Sequence, residues 1–247
     1  DFTVPISRFS ASDEANTKLL IHSNQVKDSS SNAYNITYVG KAYDVTDTTN
    51  RSNSGAHANF GSSAMQFGST STVNTDYIHL PYGSDVDNLK GGNTQSFTVE
   101  FQIKFGSVSN VYFMGPQNIA GTDNDNRTWA LGINNNGDSF RWLSSASNAT
   151  GWTLDQKWFN GGLSTGTWYH VAIVYDASGS NGSLKCYLNG TALGVYSGSA
   201  DNTALAKSNY AIRSFSSFNY RYAFGSHVGY YFNGAMDDIR ISDTARY

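Results

Sequence analysis

The chain has 247 residues, a net charge of −3 and only 14% charged residues, against the roughly one quarter usual in globular proteins. So weak and slightly acidic a field offers nucleic acid or acidic lipid nothing to hold. No stretch approaches the roughly 18 apolar residues of a membrane-crossing helix, so membrane insertion is not expected. Aromatic residues make up 14% of the chain, with 16 Tyr, which argues against disorder.

Residues 1–16 read as an N-terminal arm or linker, and residues 17–247 as one domain; Asp1 reads as a processed or trimmed start. Helix formers are scarce, with Glu only at Glu14 and Glu100. Strand signals run throughout. In chain order they fall at 18–22, 35–39, 64–67, 77–80, 97–105, 111–114, 129–133, 140–143, 168–175, 184–188, 191–196, 210–213, 222–224 and 234–242. The clearest is Phe97–Phe105, where Phe97, Val99, Phe101, Ile103 and Phe105 alternate with polar residues. That period predicts a half-buried strand with Glu100 on the solvated face. Residues 168–175 are apolar on both faces and predict a central strand. Asn189-Gly190 between two strands is a hairpin signal. Residues 44–57 and 121–127 read as long surface loops. Many short strands separated by Gly, Ser, Asn and Asp turns predict an all-β sandwich or jelly roll.

Catalytic signatures are missing. Glycoside hydrolysis needs two carboxylates across the cleaved bond; 17 of the 19 acidic residues are Asp, and no spacing points to a pair. The five histidines show no metal spacing, and His170, inside a strand, reads as a sheet histidine. Cys186 stands alone, so no internal disulfide forms, and its apolar run predicts a buried thiol.

Sugar recognition needs an aromatic platform with hydrogen-bonding groups beside it. Trp129, Trp142, Trp152 and Trp158 fall within thirty residues, among Asn and Asp. Trp152 and Trp158 flank Asp155 and Gln156 in an irregular stretch, and are read as the exposed pair. The alternative is that all four pack inside. Asp123-Asn124-Asp125-Asn126 alternates oxygen-bearing groups; Asp125 and Asn126 join the candidate ligand-binding set, with a plain polar loop as the alternative. The run 215–222 is also aromatic and polar, and reads equally as a sugar platform or as a contact strip for a neighbouring subunit.

Several segments in order resemble the concanavalin A-like superfamily, in its laminin G-like and pentraxin-like branch. They are Lys18-Leu19-Leu20-Ile21-His22, Asp28-Ser29-Ser30-Ser31-Asn32, Gly61-Ser62-Ser63-Ala64-Met65-Gln66-Phe67, Tyr77-Ile78-His79-Leu80, residues 96–105, Thr167-Trp168-Tyr169-His170-Val171-Ala172, Cys186-Tyr187-Leu188-Asn189-Gly190 and residues 234–242. The resemblance implies two large curved antiparallel sheets packed face to face. Similar domains occur in bacterial adhesins, carbohydrate-binding modules and structural proteins of tailed phages. The Glu-x-Asp-x-x-Glu motif of glucanase relatives cannot be formed from Glu14 and Glu100.

In similar domains an Asp near the last strand and an early Asp/Asn loop share a structural calcium, which would here be Asp237 with Asp28 and Asn32. Alternation places Asp237 on the face of Ile239 and Ile241, where a buried carboxylate must be paired or bound to metal. Backbone hydrogen bonds to Asp237 are the alternative, and Asp238 is the ligand if the register slips by one. The combined expectation is a non-catalytic recognition module for glycans, extracellular or on a virion surface. Its alternative is a structural subunit packing against neighbours, as a capsid decoration, tail or filament protein and as a possible homo-oligomer; a glycoside hydrolase comes third.

Overall fold

The computed structural model describes residues 1–5, 7, 9–10, 15–22, 27–39, 64–68, 77–80, 94–118, 128–134, 137–145, 152–196, 207, 220–224, 226–227 and 230–247. Their strands begin with β1 (Thr17–Ile21), β2 (Thr37–Val39), β3 (Met65–Phe67), β4 (Tyr77–His79) and β5 (Phe97–Phe105). The middle of the chain gives β6 (Val111–Asn118), β7 (Trp129–Ile133), β8 (Ser139–Ser144), β9 (Leu154–Phe159), β10 (Trp168–Asp176) and β11 (Ser183–Leu188). The last are β12 (Thr191–Ala192), β13 (Tyr220–Phe224), β14 (Ser226–His227), β15 (Tyr230–Tyr231) and β16 (Gly234–Ser242). The first sheet runs β1-β16-β5-β10-β11-β12, with β3 also on β16, and the second runs β2-β4-β13-β6-β7-β8-β9. Every pairing in both is antiparallel. This is the jelly-roll sandwich that the strand pattern predicts. The expected strand at 210–213, the strip before Tyr220 and the loops 44–57 and 121–127 lie outside the described residues, as do Asp125 and Asn126.

The alternating apolar residues of β5 form the centre of the sandwich. Phe97, Val99, Phe101, Ile103 and Phe105 are all buried and meet the inward aromatics of the second sheet. Phe97 stacks on Trp142 at 5.5 Å, Trp142 on Trp129 at 5.0 Å, and Phe101 meets Phe113 edge-on at 5.7 Å. Each such side chain contributes about 1.5–3 kcal/mol by leaving water. Cys186 is buried in the same core, and β10 is covered on both faces as its sequence predicts.

Two local conformations follow from residue type. Asn189 and Gly190 have φ of 49° and 81°, the paired positive values of the tight turn that joins twisted strands. Gly190 has a second reason to lack a side chain, since a Cβ there would lie 2.2 Å from the Phe2 carbonyl oxygen. In β16 the pairing with β5 jumps from Asp237 opposite Gln102 to Arg240 opposite Glu100. One extra residue is therefore accommodated as a bulge, with Asp238 at φ 43°. The bulge corrects the simple alternation: Asp237 shares the outer face with Gln102, while Ile239 and Ile241 remain in the core.

The outer face of the first sheet is not solvated. Thr98, Glu100 and Gln102 are buried along with the apolar residues of β5, which overturns the half-buried reading of that strand. Residues from both ends of the chain cover this face. Phe2 stacks on Tyr247 at 3.6 Å and packs with it over Ala172, Val174 and Tyr187. Phe9 is buried, with the Arg240 guanidinium 3.9 Å from its ring centre.

Candidate functional site

The outer face of the second sheet carries a partly exposed group of charges, Arg141, Asp155 and Lys157, beside the buried Tyr112, Ala130 and Leu143. It is built by β6, β7, β8 and β9, whose side chains alternate between core and surface. In β9, Leu154, Gln156 and Trp158 point inward, and Asp155, Lys157 and Phe159 point outward. Register places Arg141 of β8 opposite Lys157 and Leu143 opposite Asp155. Gly132 of β7 lies between Arg141 and Tyr112. A Cβ at Gly132 would sit 2.1 Å from the Val111 carbonyl oxygen and 2.8 Å from the Tyr112 ring. Only glycine lets Tyr112 lie across β7, beside the register shift that β6 makes there.

Arg141 is the hub. Its Nε and Nη2 donate to the two oxygens of Asp155 at 2.8 and 2.7 Å, and its Nη1 donates to the Tyr112 hydroxyl at 2.7 Å. This two-pronged geometry fixes both partners. The Asp155 bond raises the guanidinium above its ordinary value, against a smaller opposing effect of burial. Lys157 Nζ stands 3.8 Å from the same carboxylate. Trp152 is half-buried and packs against Tyr112, Ala130 and Leu143. The half-buried Trp152, a fixed carboxylate and two partly exposed cations thus share one face, while Tyr112 itself is buried at 7% accessibility.

Of the residues expected to bind ligand, Trp152 and Asp155 are brought together here. Trp158 is not exposed: it is 1% accessible and belongs to the core. The reason is period: residues 154–159 form a strand, and Trp158 differs from Asp155 by an odd number of positions, which puts them on opposite faces. Trp129 and Trp142 also pack inside. Arg141 and Tyr112 belong to the site without having been singled out from the sequence. Their signals were present in Phe140-Arg141-Trp142, where one charge interrupts an apolar strand, and in Gly132, since a glycine inside a strand marks close backbone approach.

The candidate calcium residues are engaged otherwise. Asp28 Oδ1 accepts from the amides of Leu20 and Ser30 at 3.0 and 2.9 Å. Its Oδ2 accepts from the Ser30 hydroxyl at 2.8 Å and the Tyr34 amide at 3.0 Å. Asn32 Nδ2 donates to the Lys18 carbonyl at 2.9 Å. Asp237 Oδ1 accepts from the Asp238 amide at 2.9 Å. Asp238 Oδ1 lies 2.7 Å from His22 Nδ1, and its Oδ2 accepts from the Phe9 amide at 3.2 Å. Among the described residues, no group of three or more His, Cys, Asp or Glu is placed to hold a metal ion.

Glu100 is the other concentration of charge, and it is sealed. Arg240 Nε and Nη2 both lie 2.7 Å from its Oε1, the Tyr247 hydroxyl donates to Oε2 at 2.7 Å, and His170 Nε2 stands 3.4 Å away. Burial pushes its carboxyl up, but His170, Arg240 and Tyr247 together outweigh burial and hold it below the ordinary value. The group is an ionised structural anchor without access to substrate, and not the solvated strand residue that alternation suggested.

A family model described as the concanavalin A-like lectin/glucanases superfamily matches residues 67–247. The binding domain of botulinum neurotoxin DC in complex with SialylT is similar at 13% identity and a TM-score of 0.60, over 96% of this chain and 50% of that one. The same binding domain in complex with rat synaptotagmin II gives 12% and 0.60, over 94% and 49%. A botulinum neurotoxin type C structure, whose cell entry is described as dependent on two ganglioside molecules, gives 14% and 0.54, over 94% and 49%. The chain therefore spans about half the length of these structures, and the likeness is one of fold. No curated protein matches the chain.

Proposed function

We propose, for a chain that belongs to the concanavalin A-like lectin/glucanases superfamily, that it recognises glycans without cleaving them, on the outer face of its second sheet. The observation that carries this reading is the bidentate pairing of the partly exposed Arg141 and Asp155 beside the half-buried Trp152. Aromatic rings offer the apolar side of a sugar a flat partner, and a fixed carboxylate and guanidinium select its hydroxyl groups. The site is preformed, so little ordering entropy is lost on binding. Glu100, one of two Glu residues, is buried and so offers a substrate no carboxylate. The low-charge, Ser- and Asn-rich composition supports display on a cell or virion surface. Calcium would have to displace existing hydrogen bonds to bind the Asp28 side chain, whose two oxygens already accept four.

The test is a glycan array on the purified chain, with and without chelator, run beside Trp152→Ala and Asp155→Asn. Retention of one glycan class by the wild type and its loss in both variants supports the reading. Retention of no glycan, with self-association in solution, overturns it in favour of a structural subunit. That second reading draws on Phe159 and Val195, large apolar residues 52% and 40% exposed, which suit packing against a neighbouring chain.

A further inference from the structure

Asn-Gly pairs occur at Asn136, Asn160, Asn181, Asn189 and Asn233, and the fold treats them unequally. An asparagine followed by glycine can close on itself, because the glycine amide nitrogen carries no bulky neighbour to block its approach to the asparagine Cγ. Closure is prevented where the asparagine side chain or the glycine amide is held. Asn160 is buried; its Nδ2 donates to the Gly137 carbonyl at 3.1 Å, and its Oδ1 accepts from the Gly162 amide at 2.9 Å. Asn189 Oδ1 accepts from the His170 amide at 2.9 Å, and Gly190 lies against the Phe2 carbonyl. Asn233 packs over Gly68 and Gly106, and Gly234 is fixed in β16 opposite Phe67 and Phe105. Asn136 lies outside the described residues. Asn181 is held by none of these devices. It is exposed in the turn between β10 and β11, and among the described residues neither its side chain nor the Gly182 amide makes a hydrogen bond. Asp176 opposite Ser183 closes the hairpin behind it, so residues 177–182 stand outside the ladder.

We infer that Asn181-Gly182 is a site of self-modification whose only co-reactant is water. The Gly182 nitrogen bonds to Asn181 Cγ, and the bond from Cγ to the side-chain nitrogen breaks. That nitrogen leaves as ammonia, taking the proton given up by the Gly182 amide. The product is a five-membered succinimide, which water then opens. Addition of water at Cγ restores the ordinary backbone with aspartate at position 181. Addition at the main-chain carbonyl carbon of residue 181 leaves the backbone running through Cβ, as isoaspartate. Neither route oxidises or reduces any atom. Gly182 is covered, but its nitrogen attacks the side chain next to it, so ring closure needs no approach from outside. Asn181 itself is exposed, which gives water access to the ring. Either product makes a chain of net charge −3 more negative by one. Isoaspartate also lengthens the turn by one backbone carbon, in a segment that no ladder pairing constrains.

The experiment ages the full folded chain at mildly alkaline pH, which favours loss of the amide proton, and reads each Asn-Gly pair by mass after chymotryptic digestion. The peptide holding Asn181 is expected to gain one mass unit and to separate into two products, aspartate and isoaspartate. Those holding Asn160, Asn189 and Asn233 are expected to stay unchanged over the same period. In urea all four are expected to react, which assigns the protection of the other three to the fold. Asn181→Gln is expected to abolish the product at that position, and Gly182→Ala to slow it several-fold, because a methyl group then crowds the attacking nitrogen. Both substitutions lie in the turn outside the ladder, so the folded chain persists. A peptide at Asn181 that stays unmodified in the folded chain while it reacts in urea overturns the inference. So does equal reaction at all four pairs in the folded chain, since the fold would then select none of them.

Discussion

Arg240 holds Glu100 on the outer side of the first sheet, with Nε and Nη2 both 2.7 Å from the same carboxylate oxygen. The pair is buried because Phe2, Phe9 and Tyr247 lie over it. Removing one member of a buried pair strands the other in a low-dielectric setting, which costs about 3–5 kcal/mol. Arg240→Ala is therefore expected to lower the urea midpoint sharply. Replacing both by apolar residues of similar volume is expected to cost much less than that. Equilibrium unfolding of the single and double variants checks this, and equal losses in both would contradict it.

The same cluster sets a pH profile with two limbs. Glu100 is held below its ordinary value of 4.5, so the folded state favours the ionised form. Its contribution is complete above about pH 4.5 and is lost as pH falls through the lower folded value. Tyr247 is raised above its ordinary 10.0, chiefly by burial and then by the Glu100 charge. The folded state favours its neutral phenol, so that contribution is complete below pH 10 and is lost as pH rises beyond it. Unfolding free energy measured across pH 3–11 should slope at both ends. Glu100→Gln is expected to flatten the acid limb, and Tyr247→Phe the alkaline one.

Two tryptophans close in sequence should respond in opposite ways to truncation. Trp158→Ala removes a fully buried ring and is expected to destabilise the fold by about 3–5 kcal/mol. Trp152→Ala is expected to cost little stability and to abolish glycan retention. Thermal melts run beside the binding assay separate the two, and a large melting loss in Trp152→Ala would make that residue structural.

The contrast also marks where sequence reading succeeds. Phe97–Phe105, Trp129–Ile133 and Gly234–Ser242 were legible to the residue, because runs rich in apolar residues are bounded there by Gly, Ser, Thr, Asn and Asp. Residues 154–159 were missed because Gln156 faces the core and Phe159 faces water, so hydropathy hides the alternation. Glu100 was misplaced because nothing local reveals that segments at the far ends of the chain cover its face. Asp237 was placed by an unbroken period of two, and the bulge at Asp238 breaks it. Asp155 and Trp152 could be read from composition, whereas Arg141 and Tyr112 join them only through the pairing of β6, β7 and β8.

Gly132 connects fold to site. A methyl group there collides with the backbone of β6 and with the Tyr112 ring, so Gly132→Ala must push the two strands apart or turn Tyr112 away. Tyr112 would then lose its bond from Arg141 Nη1. The expected outcome is a loss of about 1–3 kcal/mol, typical of overpacking, with weakened glycan retention. Tyr112→Phe, which keeps the ring and removes the hydroxyl, should lose less on both measures.

Asp28 shows whether the early loop is held by hydrogen bonds or by a metal. Its two oxygens accept four bonds, from Leu20, from Ser30 twice and from Tyr34. Those bonds tie residues 28–34 to β1 and leave no lone pair idle for a cation. Asp28→Ala strands three buried or partly buried amides and is expected to cost about 1–3 kcal/mol for each one that water does not reach. Chelator is expected to leave the melting temperature of the wild type unchanged, since these donors are supplied by the chain itself. A melting temperature that falls with chelator and returns with calcium would mean that Asp28 or the Asp237–Asp238 bulge exchanges its hydrogen bonds for the ion. Repeating the melt in Asp28→Ala and Asp238→Asn would then show which of the two does so, because only the variant lacking the ligand would lose its response to calcium.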